Sequence, residues 1–259
     1  MDHVDSVLLR GRDHDRYGLA EVYLAGGDRG AAAISVGSDP DSPAMSFKRR
    51  PEFPNEDAVL LACSEQRSLI AAADAHLGAE SSHVLLTRLR HHTEVLPTSQ
   101  EGLIEALLRC TVDQEPTEPE SATTLLAAIL EHGSGRAFGL SFGDSQLCVL
   151  GPEKTRWLLP ENRIYVSPFR PETLRPELGS RFTVQLPAGS LLVAFSDGVH
   201  ECHYREPETS IQPRHLDTLF ERTGPDPARF ARELTELALK GVDGNPGGQD
   251  NVVVAAVAV

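Results

Sequence analysis

Residues 57–74 read DAVLLACSEQRSLIAAAD, two short apolar runs separated by a polar segment. Runs of this length, bounded by polar turn residues, are typical of a β-hairpin whose strands are buried. Pairing residues whose numbers sum to 131 centres the turn on Glu65-Gln66 and places Asp57 opposite Asp74. Even with a shifted register, the start of one strand and the end of its antiparallel partner lie at the same edge of the sheet. The hairpin therefore predicts two carboxylates close together at one sheet edge.

A second pair of apolar runs repeats this arrangement nearer the end of the chain. Residues 191–197 read LLVAFSD, so a strand is expected to end at Asp197. Residues 250–259 read DNVVVAAVAV, so a buried strand is expected to begin just after Asp250. If these two strands pair antiparallel, their aspartates also share an edge.

Each of these aspartates has an ordinary structural explanation as well. An aspartate at a strand end is more often a turn former than a ligand, and Asp197-Gly198 is a common hairpin dipeptide. Four such carboxylates at one edge, with Glu56 and Asp144 nearby, would however repel one another strongly unless a cation lay among them. Carboxylate oxygens are hard ligands that suit Mg²⁺ and Mn²⁺. The joint pattern therefore predicts a divalent metal site.

The composition places this site in an acidic protein. The 259 residues carry 24 Lys+Arg against 38 Asp+Glu, a formal net charge of −14, so a basic face for nucleic acid or an anionic membrane is not expected. No apolar run is long enough to span a membrane, and the first residues lack the features of a signal peptide. The four cysteines form no CxxC pair and are expected to be reduced core thiols of a cytoplasmic protein: Cys63, Cys110, Cys148 and Cys202. The oligomeric state is left open.

Turn residues, caps and periodicity predict the remaining elements. A hairpin is expected within 17–36, and a loop follows to about residue 54. Helices are expected over 83–95, from Thr98, over 214–222, and over 227–240 with Asp226 as N-cap. Strands are expected over 123–131, 136–142, 145–150, 181–186, 190–196 and 251–259. Residues 151–180 hold five prolines and are expected to form a long functional loop or flap.

Six short segments in a fixed order carry a resemblance to a known family. They are Asn55-Glu56-Asp57, Asp74-Ala75-His76-Leu77-Gly78, Ser121-Ala122-Thr123-Thr124, Gly143-Asp144-Ser145, Leu192–Gly198 and Asp250-Asn251-Val252. In these segments the sequence resembles the metal-dependent serine/threonine protein phosphatases of type 2C, the PPM family, in its bacterial single-domain form. Each segment alone is weak, but six in family-like order and spacing are specific. The resemblance covers about residues 50–259 and implies one phosphatase-like domain over 1–259, in which 1–54 is weakly matched and 151–180 is the flap.

The resemblance implies an α+β fold, a four-layer α-β-β-α sandwich of two antiparallel sheets flanked by helices, with a two-metal site at one edge. The implied metal ligands are Asp57, Asp74, the backbone carbonyl of Ala75, Asp197 and Asp250, with Asp144 linked to a third, weaker ion. Asp74 would bridge two Mn²⁺ or Mg²⁺ ions, and Glu56 would hold a water. His76 would be the general acid, or else an ordinary solvated loop histidine. A water bridging the ions would then attack phosphoserine or phosphothreonine in a protein substrate, an activity that belongs to signalling.

The sequence departs from the family pattern at several positions. Ala75 stands where glycine is usual, and Ala122 does so as well. Glu52 occupies the usual place of a phosphate-binding arginine, so Arg49 and Arg50 just upstream are the candidate substrate-binding residues. Gln146 replaces another common arginine. The alternative function is therefore a catalytically impaired phosphatase-like domain that acts as a binding or regulatory module, although retention of all four aspartates favours catalysis.

Two other motifs suggest different chemistry. Residues 139–143 fit the G-x-S-x-G pattern of a serine hydrolase, but that motif requires a helix directly after the serine, and a strand is expected there. The segment His200-Glu-Cys202-His203 contains zinc-type ligands without a second pair at a usual spacing. Neither motif is expected to form a site.

Overall fold

Two six-stranded antiparallel sheets lie face to face in the computed structural model, which describes residues 3–50, 53–160 and 162–259. In spatial order, the first sheet contains β1 (Asp5–Arg10), β4 (Ala58–Cys63), β5 (Arg67–Ala73), β8 (Leu125–Glu131), β9 (Arg136–Phe142) and β12 (Ser180–Gln185). The second contains β11 (Arg156–Trp157), β10 (Gln146–Leu150), β13 (Leu191–Phe195), β14 (Val252–Ala258), β3 (Gly30–Ser35) and β2 (Glu21–Ala25). A short ladder pairs β6 (Ala75–His76) with β7 (Ala122–Thr123).

Helices cover the outer faces of both sheets. They are α1 (Pro43–Ser46), α2 (Glu80–His92), α3 (Gln100–Leu108), α4 (Asp197–His200), α5 (Pro213–Thr223) and α6 (Pro227–Lys240). Leucines of α2 and α3 pack on the first sheet, and apolar residues of α5 and α6 pack on the second. A third apolar layer fills the space between the sheets. The predicted four-layer α-β-β-α sandwich is therefore confirmed.

The hairpin of β4 and β5 has the predicted register. Ala58 pairs with Ala73 and Cys63 with Ser68, so paired numbers sum to 131. Alternate residues of β4 face different layers. Leu61 packs in the layer between the sheets, and Leu60 packs against the helices. Burial on both faces explains why the strand reads as a continuous apolar run. Each fully buried leucine stabilises the fold by about 2 kcal/mol relative to an exposed one.

The second pair of predicted strands also forms as expected. In β13 and β14, Leu191 pairs with Ala258 and Phe195 with Val254, so the end of one strand meets the start of the other. The dipeptide Asp197-Gly198 is not a hairpin turn, however, since it begins the short helix α4. A Cβ at Gly198 would collide with the backbone of Asn251, so glycine is needed for this close approach.

Several element boundaries differ from the sequence-based expectation. Helix α3 is capped by Ser99 rather than Thr98, because Ser99 Oγ accepts the Gly102 N–H at 3.1 Å. The helix expected over 83–95 is α2, which begins and ends three residues earlier. By contrast, α6 has the predicted bounds and its N-cap Asp226.

The four cysteines lie in the core as expected, whereas the role of the 151–180 segment as a functional flap stays a prediction. All four cysteines are free and buried. Before β12 begins at Ser180, the described residues of the segment contain β11 and one 3-10 turn, and a bridge pairs Val166 with Thr123 of β7. Across the described ranges, no helix combines the length and apolar character needed to cross a membrane.

Candidate metal centre

The aspartates singled out in the sequence meet at one edge of the sandwich. Carboxylate oxygens of Asp74, Asp144 and Asp197 all lie within 4.8 Å of one another. Asp57 lies opposite Asp74, because Ala58 pairs with Ala73 in the next position of the ladder. The charges of Asp57 and Asp250 both raise the pKa of Asp74. The two strand pairings supply four of the five carboxylates, and the turn between β9 and β10 supplies Asp144.

Burial dominates the electrostatics of the cluster. It raises the pKa of Asp74 well above the usual range, and the Asp57 charge raises it further. Burial likewise raises the pKa of Asp197, with Asp74 as the next contribution. It also raises the pKa of Asp57 to about 7, although Lys48 opposes this shift. Full ionisation of the cluster therefore requires additional positive charge.

Unsatisfied carboxylate oxygens show that the cluster fits divalent metal ions. Both oxygens of Asp57 and Oδ1 of Asp144 are buried, and nothing among the described residues forms a hydrogen bond to them. Buried carboxylate oxygens without partners are costly unless a cation coordinates them. An all-oxygen donor set of this kind suits Mg²⁺ or Mn²⁺.

Neighbouring backbone and hydroxyl groups fix the position of Asp74. The Asp74 N–H donates to Thr124 Oγ1 at 3.0 Å, and the Thr124 N–H donates to the Asp74 carbonyl at 2.8 Å. Thr124 Oγ1 is in turn 2.8 Å from Ser145 Oγ. Thr124 and Ser145 therefore serve the site by positioning Asp74, whereas Asp144 contributes a carboxylate to the cluster itself.

Ala75 is compatible with its place in the cluster. It lies in β6, and it is not among the described non-glycine residues with positive φ. Alanine therefore adopts this backbone conformation without the strain that a positive φ would impose. Metal binding by the Ala75 carbonyl stays a prediction.

Glu56 is held at the site by residues from three parts of the chain. Its N–H donates to Asn251 Oδ1 at 2.9 Å, and its carbonyl accepts from Ser82 Oγ at 2.6 Å. Its Oε1 accepts the Arg49 N–H at 3.1 Å. Burial raises the pKa of this carboxyl, with Lys48 opposing. Asn251 thus couples the start of β14 to the Asn55-Glu56-Asp57 segment.

Lys48 lies inside the cluster and was missed by the sequence-based reasoning. Its Nζ is 3.0 Å from Asp250 Oδ1, and its side chain is 7% exposed. Burial alone would lower the Lys48 pKa, but Asp250 and Asp74 outweigh this effect and raise it. The only signal in the sequence is that the chain has three lysines, one of which stands close upstream of Glu56.

The two arginines expected to bind substrate are paired with glutamates. Arg49 Nη1 lies 2.8 Å from Glu120, and Arg50 Nε lies 2.7 Å from Glu118. Glu52, which replaces the usual arginine, is outside the described residues. Substrate binding by Arg49 and Arg50 stays a prediction. To bind a phosphate group, each guanidinium group would have to leave its glutamate or contact the glutamate and the phosphate together.

His76 faces a tyrosine from the 151–180 segment, another residue that the sequence did not single out. The rings of His76 and Tyr165 meet edge to face at 4.9 Å, and the Tyr165 hydroxyl donates to Asp144 Oδ2 at 3.4 Å. His76 Nε2 is buried and makes no hydrogen bond within the described parts of the chain. Burial, followed by the Lys48 charge, lowers the His76 pKa. The segment thus supplies one wall of the site.

The rival motifs do not form sites. Ser141 lies within β9 and is followed by the strand β10, not by the helix that a serine hydrolase requires. Cys202 is packed in the apolar core beneath α5 and α6. Within the described ranges, the one group of His, Cys, Asp or Glu residues with metal-site geometry is Asp74, Asp144 and Asp197.

An α-β-β-α sandwich with an acidic metal-site cluster at one edge defines the class of PPM-type metal-dependent phosphatase domains. The chain belongs to one family of this class: the family model for Stage II sporulation protein E (SpoIIE) matches residues 70–259. Domains of this kind are metal-dependent hydrolases of the protein phosphatase type. Among the curated proteins, no sequence match is found.

Solved structures share the fold at low sequence identity. The PPM Ser-Thr phosphatase MsPP from Mycobacterium smegmatis is 22% identical, with a TM-score of 0.64 and coverage of 89% of this chain and 97% of its own. The Mycobacterium tuberculosis serine/threonine phosphatase PstP/Ppp is 22% identical, with a TM-score of 0.64 and coverage of 93% and 99%. A PstP catalytic domain solved with two manganese ions is 21% identical, with a TM-score of 0.65 and coverage of 89% and 98%.

Proposed function

We propose that this chain is a metal-dependent phosphatase that hydrolyses phosphoserine and phosphothreonine in proteins. The observation that carries this function is the cluster of buried carboxylates, in which both Asp57 oxygens lack hydrogen-bond partners among the described residues. Clustered buried charges are costly, and a purely structural domain has no need of them. The family match and the manganese-containing structure of similar fold support the same class of reaction.

The cluster provides ligands for two Mn²⁺ or Mg²⁺ ions: Asp57, Asp74, the Ala75 carbonyl, Asp197 and Asp250. We assign Asp144 to a third, weaker site, and its position within 4.8 Å of the Asp74 and Asp197 carboxylates supports a role in metal binding. When bound, such ions neutralise phosphoryl oxygens and lower the pKa of a nearby water.

The other residues of the site act on protons and on position. Glu56 is fixed by Asn251 and Ser82, so its carboxylate can orient an attacking water by accepting a hydrogen bond. His76 Nε2 has no competing partner among the described residues, and it is free to donate a proton to the leaving alkoxide oxygen. The ring of Tyr165 restricts the orientation of His76. Thr124 positions Asp74 by accepting its backbone N–H.

The test uses p-nitrophenyl phosphate and a phosphoserine peptide, each with Mn²⁺, with Mg²⁺ and with a chelator. We expect activity only with metal, and a loss on the order of a hundredfold or more in Asp74→Asn and Asp250→Asn. We also expect Mn²⁺ to raise the melting temperature of the parent protein by mass action, but not that of Asp74→Asn. Metal-independent turnover, or full activity in Asp74→Asn, would rule out the mechanism.

The same experiment tests the alternative function, a phosphatase-like domain that binds a partner without catalysis. The buried ion pair of Lys48 and Asp250 favours this alternative, because a lysine ammonium group already occupies part of the carboxylate cluster. That function predicts no turnover of either substrate under any metal condition. Tight Mn²⁺ binding without turnover would therefore support it in place of catalysis.

A further inference from the structure

A cavity of about 420 Å³ lies next to the metal-ligand cluster and shares the side chain of Glu56 with it. Four arginines line this cavity: Arg10, Arg12, Arg50 and Arg88. The protein as a whole carries a formal charge of −14, so four guanidinium groups around one opening differ sharply from the average surface. Three glutamates also line it, Glu56, Glu80 and Glu118, so four positive charges stand against three negative ones and the lining keeps a net positive charge. A concave site with a net charge attracts the opposite charge.

Two of these arginines have carboxylate partners, at 2.8 and 2.7 Å: Arg10 with Asp13, and Arg50 with Glu118. Within the ranges that the structure describes, neither Arg12 nor Arg88 makes a salt bridge, and both are exposed. These two guanidinium groups keep their hydrogen-bond donors available for an anionic ligand.

The carboxylates on the cavity wall are already occupied by backbone donors. The Glu80 N–H donates to Glu118 Oε2 at 2.9 Å, and the Glu118 N–H donates to Glu80 Oε2 at 2.6 Å. Glu118 also pairs with Arg50. These contacts hold Glu80 and Glu118 in place on the wall, and within the described ranges neither glutamate forms a salt bridge with Arg12 or Arg88.

Large exposed apolar side chains occur in the cavity lining and in the chain segments next to the metal-ligand cluster. Phe53 lines the cavity and is 43% exposed. Phe47, directly before Lys48, is 66% exposed, and Leu77, directly after His76, is 50% exposed. Leu77 also has a positive φ of 60°, a strained conformation for leucine that tends to persist at functional positions. Exposed apolar residues gathered around a polar site are typical of a surface that contacts another protein.

We propose that the arginine cavity and its apolar rim bind the segment of a phosphoprotein that flanks the phosphorylated residue, and that they select substrates with an aspartate or glutamate in that segment. The inference rests on the proposed function, because the shared Glu56 places the cavity beside the reacting phosphoester. The acidic side chain of the substrate lies against Arg12 and Arg88, while apolar neighbours contact Phe47, Phe53 and Leu77. An acidic enzyme thereby gains a local site for an acidic partner.

The test compares two phosphoserine peptides that differ only in glutamate or glutamine at the flanking positions. We expect kcat/KM of the parent protein to be about tenfold higher for the glutamate peptide, because a hydrogen bond to a charged group contributes about enough free energy for that ratio. In the double variant Arg12→Gln/Arg88→Gln this ratio should fall towards one. The matched control is Arg232→Gln, since Arg232 is exposed on α6, over the other sheet, without a salt bridge among the described residues. The ratio should keep its parent value in that control.

An equal kcat/KM for the two peptides in the parent, or an unchanged ratio in the double variant, overturns the inference. p-Nitrophenyl phosphate has no flanking segment, so its turnover with Mn²⁺ tests the proposed function separately. If neither peptide is hydrolysed, their dissociation constants from fluorescence anisotropy give the same ratio without catalysis. A preference for glutamate that disappears in the double variant then supports the docking surface, and equal affinities reject it.

Discussion

Lys48 Nζ lies 3.0 Å from Asp250 Oδ1, with side-chain exposures of 7% and 12%. Hydrogen bonds between the two loops maintain this buried ion pair. Ser42 caps α1, just before Lys48, and its hydroxyl donates to the carbonyl of Gln249, the neighbour of Asp250, at 2.5 Å. The ammonium group of Lys48 is thereby fixed within the carboxylate cluster, whose oxygens also suit divalent metal ions.

The first prediction concerns the substitution Lys48→Met, which preserves the length of the side chain and removes its charge. Because a buried carboxylate is left without its partner, we expect the metal-free protein to lose about 3 kcal/mol of unfolding free energy. Since the ammonium group and a metal ion compete for Asp250, we also expect the Mn²⁺ dissociation constant to fall on the order of tenfold. Thermal melting and isothermal titration calorimetry measure these two effects.

Lys240→Met is the matched control for this prediction, because Lys240 is exposed at the end of α6. It should change neither quantity appreciably. An unchanged melting temperature and an unchanged Mn²⁺ affinity in Lys48→Met would show that the ion pair is energetically neutral.

Regular elements of the fold could be predicted because local signals determine them. The 57–74 hairpin follows from two apolar runs and a polar turn, and the register of Ala58 with Ala73 agrees with the numerical prediction. Helix α6 follows from its cap and its apolar stripe. Edge strand β1 was not predicted, because its residues are mostly half-exposed and the run lacks the apolar continuity of a central strand.

Strand pairing predicts the site only where strand ends bring residues together, whereas candidates such as Ala75 and His76 come from the family resemblance. Asp57, Asp74, Asp197 and Asp250 follow from antiparallel pairing, which is readable from apolar runs. Lys48 and Tyr165 lie in loops. The path of a loop depends on hydrogen bonds between distant residues, and these leave no periodic pattern in the sequence. Lys48 is placed by contacts between distant loops, and Tyr165 by the pairing of Val166 with Thr123.

The second prediction tests His76 as a proton donor. A general acid matters more for a poor leaving group than for a good one, because the poor leaving group needs the proton. We expect His76→Gln to reduce kcat/KM for phenyl phosphate by about a hundredfold, and that for p-nitrophenyl phosphate by much less. Steady-state kinetics with both esters gives this difference. Equal losses for the two esters would indicate that His76 serves the structure of the site and donates no proton.

The third prediction separates the ring of Tyr165 from its hydroxyl. The ring contacts His76 at 4.9 Å, whereas the hydroxyl makes only a long hydrogen bond of 3.4 Å to Asp144. Tyr165→Phe retains the edge-to-face contact, so we expect kcat/KM to fall by less than about threefold. Tyr165→Leu loses an aromatic contact worth about 1 kcal/mol and should cost about fivefold. If phenylalanine proves as harmful as leucine, the hydroxyl rather than the ring is the important group.

The fourth prediction concerns His83, which connects α2 to the backbone of the metal centre. Its Nε2 lies 3.3 Å from the Asp57 carbonyl, and its side chain is buried. Burial, with a smaller contribution from Arg12, lowers the pKa of His83 to about 4. The folded protein therefore holds this ring neutral between pH 6.5 and 4, while the unfolded chain takes up a proton over the same range.

Because the unfolded state binds more protons in this window, stability from His83 is fully present above pH 6.5 and declines as the pH falls towards 4. The lowered pKa corresponds to about 3 kcal/mol over the window. Urea unfolding of the parent and of His83→Gln at pH 7 and pH 4.5 isolates this contribution, since the carboxylate cluster is common to both proteins. We expect the variant to lose less stability on acidification than the parent, and His91→Gln, an exposed histidine of the same helix, serves as the control. Identical acid dependence in the parent and His83→Gln would mean that folding does not lower the pKa of the His83 ring.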